Sequence, residues 1–301
     1  MRHGWGDPAP AGLGRCAGPN IRIETKGAGH TCSLFNEIRR RISDNALMHT
    51  RPHGAPTLRK PTLVDITTSL HQGLRDFIAT PFTAVFFASF YVFAGLAMGW
   101  ITYATGQTFW LVLAVMGFPL VGALAAVGFY EISRRRQTNQ SVSFASVVRT
   151  TWAFENEQLP WLAAIIVVIF LFWFFMGHMI FALFLGLSPM TNISSSLDVF
   201  LTSQGLTMIA FGSAVGSVFA VLVFSLSVLG MPMLIDRDVD FMTAMLSSIS
   251  AVAQAPVLYL AWGAFIGLIT FASMLPSFLG LFISMPVLGH ATWHLYKRVS
   301  T

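Results

Sequence analysis

Long apolar segments alternate along this chain with shorter amphipathic and polar segments. Six of the apolar segments are long enough to cross a hydrocarbon core of roughly 30 Å as helices that rise about 1.5 Å per residue. We therefore predict an all-α fold, a polytopic membrane helix bundle with six transmembrane helices. The predicted spans are 82–103, 109–132, 161–187, 206–229, 257–275 and 278–296.

The amphipathic segments precede alternate spans. In the first, six apolar residues recur at helical spacing while acidic and basic residues occupy other faces, which is typical of a helix on a membrane surface. Segments 141–158 and 241–254 have the same character. The apolar residues of the first segment are Leu63, Ile66, Leu70, Leu74, Phe77 and Ile78.

The order of these elements suggests a threefold repeat. Each unit has an amphipathic segment, a proline and two spans, the second of which ends in charged residues. Pro81, Pro160 and Pro256 fall where a helix would begin, and proline is tolerated there because the amide of the first turn has no helical partner. The alternative is chance, since any protein built from paired spans has charged residues where the second helix of a pair leaves the membrane.

Residues 1–60 differ from the rest of the chain. They are rich in Gly, Pro, Arg and His, include the basic run 39–41 and lack a sustained period. We predict a disordered basic N-terminal arm, followed by a membrane domain over 61–299. An alternative is that translation begins at Met48.

The composition supports the bilayer as the solvent. Hydrophobic residues make up 54% of the chain and charged residues 10%, against about 25% charged residues in an average soluble domain. The two cysteines, Cys16 and Cys32, have no metal-binding spacing. Basic residues flank the spans and do not form a stripe with interleaved aromatics, so we expect no nucleic-acid partner.

The distribution of basic residues predicts the orientation. With six spans, every Lys and Arg lies on one side of the membrane, and the other side carries a single formal charge, that of Asp198. Basic loops stay in the cytoplasm, so we expect cytoplasmic termini in a bacterial inner membrane. An alternative with five spans would place the C-terminal basic pair outside. The predicted cytoplasmic anchors are Arg134, Arg135, Arg136, Lys297 and Arg298.

Histidines are the main candidates for chemistry. His290 and His294 are four residues apart on one helical face, so they could bind a metal or flank a haem. The alternative is that His294 reaches the interface while His290 bonds to a neighbouring helix. His178 lies two to three turns away in depth by helical rise, so we expect no site shared by all three. The sequence assigns no cofactor.

No carboxylate lies in the middle of a span, which disfavours an ion-coupled carrier. Pro119 and Pro286 could nonetheless break the helices of the second and sixth predicted spans. The chain has no P-loop, GxSxG, HExxH or GxGxxG motif, and we expect no enzyme.

Glycines four residues apart predict close helix packing in three spans, within one bundle or between protomers. The predicted packing residues are Gly95, Gly99, Gly212, Gly216, Gly263 and Gly267.

Three stretches resemble a known family. They are FPLVGALAAVGFYEISRR, PMLIDRDVDFMTAMLSSISAV and FLGLFISMPVLGHATWHLYKR. Together they resemble the bacterial integral membrane proteins of domain-of-unknown-function family 2189, over about residues 63–298. The resemblance implies a multi-span inner-membrane protein without an assigned activity. Some members carry a cytochrome c oxidase label, but an oxidase core needs more membrane histidines than the three found here.

Three functional hypotheses follow. The first is a non-catalytic packing, accessory or assembly component whose partners are the lipid bilayer and other membrane proteins or further copies of itself. The second is a channel or transporter for a small solute. The third is a haem-binding or metal-binding membrane protein associated with respiration.

Overall fold

The structure is a computed structural model that describes residues 52–106, 126–140, 142, 147, 158–186 and 201–301. Its regular secondary structure is helical throughout these ranges. Residues 126–137 are also helical. The helices are α1 (Leu63–Ala79), α2 (Pro81–Thr105), α3 (Gln158–Leu185), α4 (Ser203–Ser227), α5 (Gly230–Asp236), α6 (Phe241–Gln254), α7 (Pro256–Met274) and α8 (Leu281–Val299).

Four helical stretches in the described residues are long and apolar enough to cross a membrane. They are Pro81–Thr105, Gln158–Leu185, Ser203–Asp236 and Pro256–Met274. The prediction of an all-helical, multi-pass membrane protein is therefore confirmed. The second predicted span, 109–132, lies mostly outside the described residues. Helix α8 covers most of the sixth span but has a more polar sequence, so the count of six is compatible with the structure and stays a prediction.

Helix α1 packs along α8 with its small and polar face. Asp65, Ser69, Gly73 and Asp76 are its buried residues, whereas Leu63, Val64 and Ile78 on the other side are exposed. A Cβ atom added at Gly73 would lie 2.6 Å from both Ala291 N and Val287 O. The two backbones therefore approach closely, which only glycine permits at this position.

Helix α6 uses the same kind of face. It buries Ala244, Ser248 and Ala251, and Ser248 Oγ accepts a hydrogen bond of 3.2 Å from the Leu229 amide at the end of α4. This bond satisfies a backbone donor where α4 passes into α5. The second predicted surface helix, 141–158, lies almost entirely outside the described residues.

The junctions that follow α1 and α6 are alike. Thr80 has φ −135° and ψ 49°, and Ala255 has φ −142° and ψ 60°. Each is followed by a proline that opens the next helix, Pro81 in α2 and Pro256 in α7. This shared geometry favours the predicted duplication. Pro160 is also in a first turn, as the third residue of α3.

Aromatic side chains join the spans to one another. Phe87 of α2 packs edge-on against Phe129, with ring centroids 6.3 Å apart. Phe224 of α4 lies against Gly263 of α7. Phe172 of α3 meets Phe219 of α4 at 6.0 Å. Two buried clusters of apolar residues result, one around α2 and the other around α4 to α8.

Residues 52–60, which the sequence assigned to the arm, pair with later parts of the chain. The Gly54 amide donates to Asp238 O at 3.1 Å, and the Arg59 amide donates to Val299 O at 2.9 Å. The Thr301 amide donates to Thr57 O at 3.0 Å. This segment therefore contacts both the turn between α5 and α6 and the C-terminal residues.

Candidate functional site

A buried polar cluster lies where α1, the segment 126–137 and α8 meet. We call it the Asp76 cluster. Its carboxylate and both of its imidazoles are at most 6% exposed, so almost no water can solvate them and their partners must come from the protein. The members are Asp76, Ser133, Arg136, Gln137, His290 and His294.

Asp76 is the acceptor at the centre of this cluster. Its Oδ2 accepts hydrogen bonds from Ser133 Oγ at 2.6 Å and His294 Nε2 at 2.8 Å, and its Oδ1 accepts one from Arg136 Nε at 2.8 Å. Burial alone would raise the pKa of Asp76, but the bonds from His294 and Ser133 outweigh burial and lower this pKa to about 2. The carboxylate is therefore ionised at neutral pH.

Both ring nitrogens of His294 are engaged. Nε2 lies against Asp76, and Nδ1 lies 3.0 Å from Gln137 Nε2. An amide nitrogen can only donate, so Nδ1 accepts and the proton of neutral His294 is on Nε2, facing the carboxylate. The Gln137 carbonyl oxygen in turn accepts from Trp293 Nε1 at 3.1 Å. His294 is thus held in one tautomer by its neighbours.

His290 has one engaged nitrogen and one free nitrogen. Nδ1 lies 2.9 Å from Ser133 Oγ and 3.0 Å from Phe129 O. The Ser133 hydroxyl donates to Asp76 and the carbonyl can only accept, so Nδ1 carries the proton. His290 is fully buried, and its Nε2 has no partner among the described residues. His290 Nε2 is therefore a buried hydrogen-bond acceptor with no donor among the described residues.

The histidines differ in what they can bind. His294 has no free nitrogen for a metal in this arrangement, whereas His290 Nε2 has no partner in the part of the chain that the structure describes. His178 lies apart in α3, where its Nδ1 is 2.8 Å from Phe174 O. Within the described ranges no group of three or more His, Cys, Asp or Glu side chains could hold a metal ion. The pairing of His290 with His294 as metal ligands stays a prediction.

Two more carboxylates are paired with the predicted anchors. Glu131, 2% exposed, accepts from Arg134 at 2.7 and 2.8 Å and from Arg135 at 2.6 Å. Asp236 accepts from Tyr296 Oη at 3.0 Å and from Lys297 Nζ at 3.1 Å. Arg136 belongs to the Asp76 cluster, and the Nε atom of Arg298 is buried without a partner in the described residues. Arg136 and Lys297 therefore each link two helices, whereas Arg134 and Arg135 are paired with Glu131 within one helix.

The predicted glycines occupy different surroundings. A Cβ at Gly95 would lie 2.6 Å from the Phe278 ring, and one at Gly263 would lie 3.1 Å from Phe224. Gly216 and Gly212 have looser contacts, 3.4 Å to Trp173 and 3.9 Å to Ile180. By contrast, no described residue lies within 4 Å of a Cβ at Gly99 or Gly267. Among the described glycines of the helices, Gly73 lies closest to the backbone of another helix, and the sequence analysis did not select it.

Sequence reasoning also missed Asp76 and Ser133 as site residues. The available signal was in α1, where the small or acidic residues Asp65, Ser69, Gly73 and Asp76 recur every three to four positions. That spacing is typical of a face that packs against another helix. The apolar stripe beside it was the stronger pattern and suggested a surface helix instead.

Apolar helices of spanning length, with their charges gathered into buried pairs at the helix ends, define a multi-pass helical integral membrane protein. The model of a family described as "Predicted integral membrane protein (DUF2189)" matches residues 111–236. The resemblance found in the sequence is confirmed over that segment. No curated protein and no solved structure matches the chain.

Proposed function

We propose that this protein is a non-catalytic component of a bacterial inner membrane that packs against other membrane proteins or further copies of itself. The observation that carries the proposal is a set of glycines on the spans that no described residue covers. They are Gly99 in α2, Gly177 in α3 and Gly267 in α7.

Glycine in the middle of a helix lowers the stability of that helix by about 1 kcal/mol relative to alanine. A glycine that faces only lipid therefore destabilises a span without forming any compensating contact. The cost is offset where glycine lets another helix approach closely. Gly95 and Gly263 have such contacts inside this chain. Gly99 and Gly267 lie one turn further along the same helices, which favours a partner helix from outside the chain.

The buried ionisable groups support a non-catalytic role. Asp76, Glu131 and Asp236 are each held by basic or hydroxyl partners. Asp76 and Asp236 join helices through these bonds, and Glu131 is paired within its own helix. A carboxylate held in this way is poorly placed to exchange protons with a substrate. These pairs therefore favour an architectural purpose.

The same pairs support the proposed orientation. Arg136 contacts Asp76, Lys297 contacts Asp236, and His53 lies 2.9 Å from Asp238. These contacts gather segments that the sequence assigned to one side of the membrane. Because basic segments stay on the cytoplasmic side, the proposed location of both termini is the cytoplasm.

The test compares glycine variants with matched controls. Gly99→Leu and Gly267→Leu fill the open positions, whereas Ala97→Leu and Ala264→Leu add bulk at exposed positions of the same two helices. We expect the wild type to elute from mild detergent as an oligomer or with a partner, and the glycine variants to lose that species while the alanine variants keep it. A wild-type monomer without partners, or equal behaviour of the two pairs, would contradict the proposal.

A metal protein is the second candidate, and the free Nε2 of His290 is the observation that favours it. Imidazole nitrogen is a common ligand of Zn, Cu and Fe. Metal analysis and an absorption spectrum of the purified protein test this candidate. A colourless preparation without bound metal would reject it.

A further inference from the structure

An apolar cleft of about 350 Å³ opens between α1, α7 and α8. Its walls include Leu70 and Leu74 from α1, Phe265 and Ile269 from α7, and Ile283 and Val287 from α8. This volume is at the lower end of the range for small-molecule sites, about 300–1,000 Å³. In a chain that spans a bilayer, a cleft with such walls is open to acyl chains and closed to polar solutes.

One polar group in the cleft lacks a partner. Ser284 lines it, is 8% exposed, and its Oγ has no hydrogen-bond partner among the described residues. The other hydroxyl in the lining, Ser273 Oγ, donates to Ile269 O at 2.6 Å. Buried hydroxyls nearly always have a partner, so the Ser284 hydroxyl implies that an occupant of the cleft supplies an acceptor.

A basic residue directly follows one of the α1 residues that line the cleft. Arg75 follows Leu74 in α1, and its side chain is exposed and has no ion-pair partner among the described residues. An unpaired guanidinium in hydrocarbon costs several kcal/mol, so Arg75 must reach the headgroup zone of the bilayer. The α1 wall of the cleft therefore lies close to that zone. Exposed His71, one turn before Arg75, adds a donor on the same side of the helix.

We propose that the cleft binds one acyl chain of an anionic phospholipid. The chain fills the apolar space between α1, α7 and α8, an ester carbonyl oxygen accepts a hydrogen bond from Ser284 Oγ, and the phosphate is paired with Arg75. Basic side chains near a membrane surface are suited to anionic headgroups. This site goes beyond the proposed packing function and does not depend on it, since the glycines at issue there are on other surfaces.

The experiment uses the full chain reconstituted in vesicles that contain either phosphatidylglycerol or phosphatidylcholine with a photoreactive acyl chain. Cross-linked positions are read by mass spectrometry. We expect labelling of α1 and α8 residues that line the cleft to exceed labelling at Val168 and Leu171, exposed positions of α3, by about tenfold with phosphatidylglycerol. Equal labelling at the two places would show ordinary lipid contact and overturn the proposal.

Variants then test each contact. Leu74→Trp blocks the rim and should reduce cleft labelling about tenfold, whereas Leu171→Trp on α3 should not change it. Ser284→Ala should weaken labelling about fivefold through the lost hydrogen bond. Arg75→Gln should remove the preference for phosphatidylglycerol, and Arg75→Lys should keep most of it. Undiminished cleft labelling in folded Leu74→Trp protein, or an unchanged headgroup preference in Arg75→Gln, would contradict the proposal.

Discussion

At the scale of single residues, Asp76 is the group on which most contacts of the buried cluster converge. It joins α1 to Arg136 and Ser133 of the segment 126–137 and to His294 of α8. Removing one partner from such a cluster leaves the others buried without compensation, which costs more than the net contribution of the intact pairs. The cluster therefore fixes which helices meet.

We predict that Asp76→Asn destabilises the protein by about 2–4 kcal/mol, because Arg136 loses its buried counter-charge. Unfolding of the detergent-solubilised protein in urea measures the change. Asp238→Asn is the matched control, since the carboxylate of Asp238 is largely exposed in its pairing with His53 and the same substitution there should cost little. A similar loss in the two variants would count against this account.

The pKa of Asp76 predicts an acid transition. Because the folded-state pKa, about 2, lies below the ordinary value of 3.8, the ionised carboxylate stabilises the fold above about pH 4, and this stabilisation is lost as the pH falls towards 2. The loss should be about 2 kcal/mol. Unfolding free energies at pH 5, 4, 3 and 2 measure it.

Asp76→Asn is the control for this pH series. It should lose less stability over the same interval, although not none. Asp65 remains ionisable in that variant, and its hydrogen bonds with Arg59 hold the pKa of its carboxyl well below the ordinary range. Parallel pH curves for wild type and variant would show that Asp76 is not the titrating group.

At the scale of the helices, α1 is bound to the bundle by its small face. The small and acidic residues Asp65, Ser69, Gly73 and Asp76 contact protein, whereas Leu63, Val64 and Ile78 on the other side are exposed. This is the reverse of a helix in a water-soluble protein, and it fits a helix that has lipid on one side and a polar seam on the other. Gly73 is the position at which the seam is tightest.

We predict opposite effects of alanine at two glycines. Gly73→Ala should destabilise the protein by about 1–3 kcal/mol, because the new Cβ would meet the α8 backbone at 2.6 Å. In a detergent that separates the chain from any partner, Gly99→Ala adds a methyl group where no described residue lies within 4 Å, so it should stabilise α2 by up to about 1 kcal/mol through helix propensity. Thermal unfolding in one detergent compares them, and stabilisation by Gly73→Ala would refute the close approach of α1 to α8.

The sequence predicted the spans well and the polar contacts poorly, for a physical reason. Lipid is a nearly uniform environment, so a run of apolar residues such as 161–187 is sufficient to indicate a span, and α3 covers nearly the same residues. The partners of Asp76 are 57 to 218 positions away in the chain. Local pattern shows that Asp76 is polar, but it does not show whether water or another helix will solvate it.

The face of α1 illustrates the same limit. Its apolar stripe is visible in the sequence, whereas the burial of the opposite face against α8 is not. Glycine pairs were likewise visible in sequence, but Gly95 contacts Phe278 whereas Gly99 is open. The spacing of the glycines predicts a groove on a helix, but only the tertiary fold shows what fills that groove.

At the scale of the whole molecule, the basic residues at the helix ends predict that both termini lie on the cytoplasmic side of the membrane. We expect a cysteine introduced by Thr301→Cys, in a background with Cys16→Ser and Cys32→Ser, to react with a membrane-impermeant maleimide only after cells are permeabilised. Asn192→Cys, in the polar segment between the third and fourth predicted spans, should react in intact cells. The reverse pattern would exclude cytoplasmic termini.

The packing of α1 on α8 also bears on how the chain matures. Ribosomes release α1 long before α8, so the face with Asp76 leaves the translocation machinery before the helix that receives it has been made. Docking of α1 must await synthesis of α8, and until then Asp76 lacks its bond from His294. A nascent chain that stops before α8 should for this reason be a preferred substrate of membrane quality-control proteases.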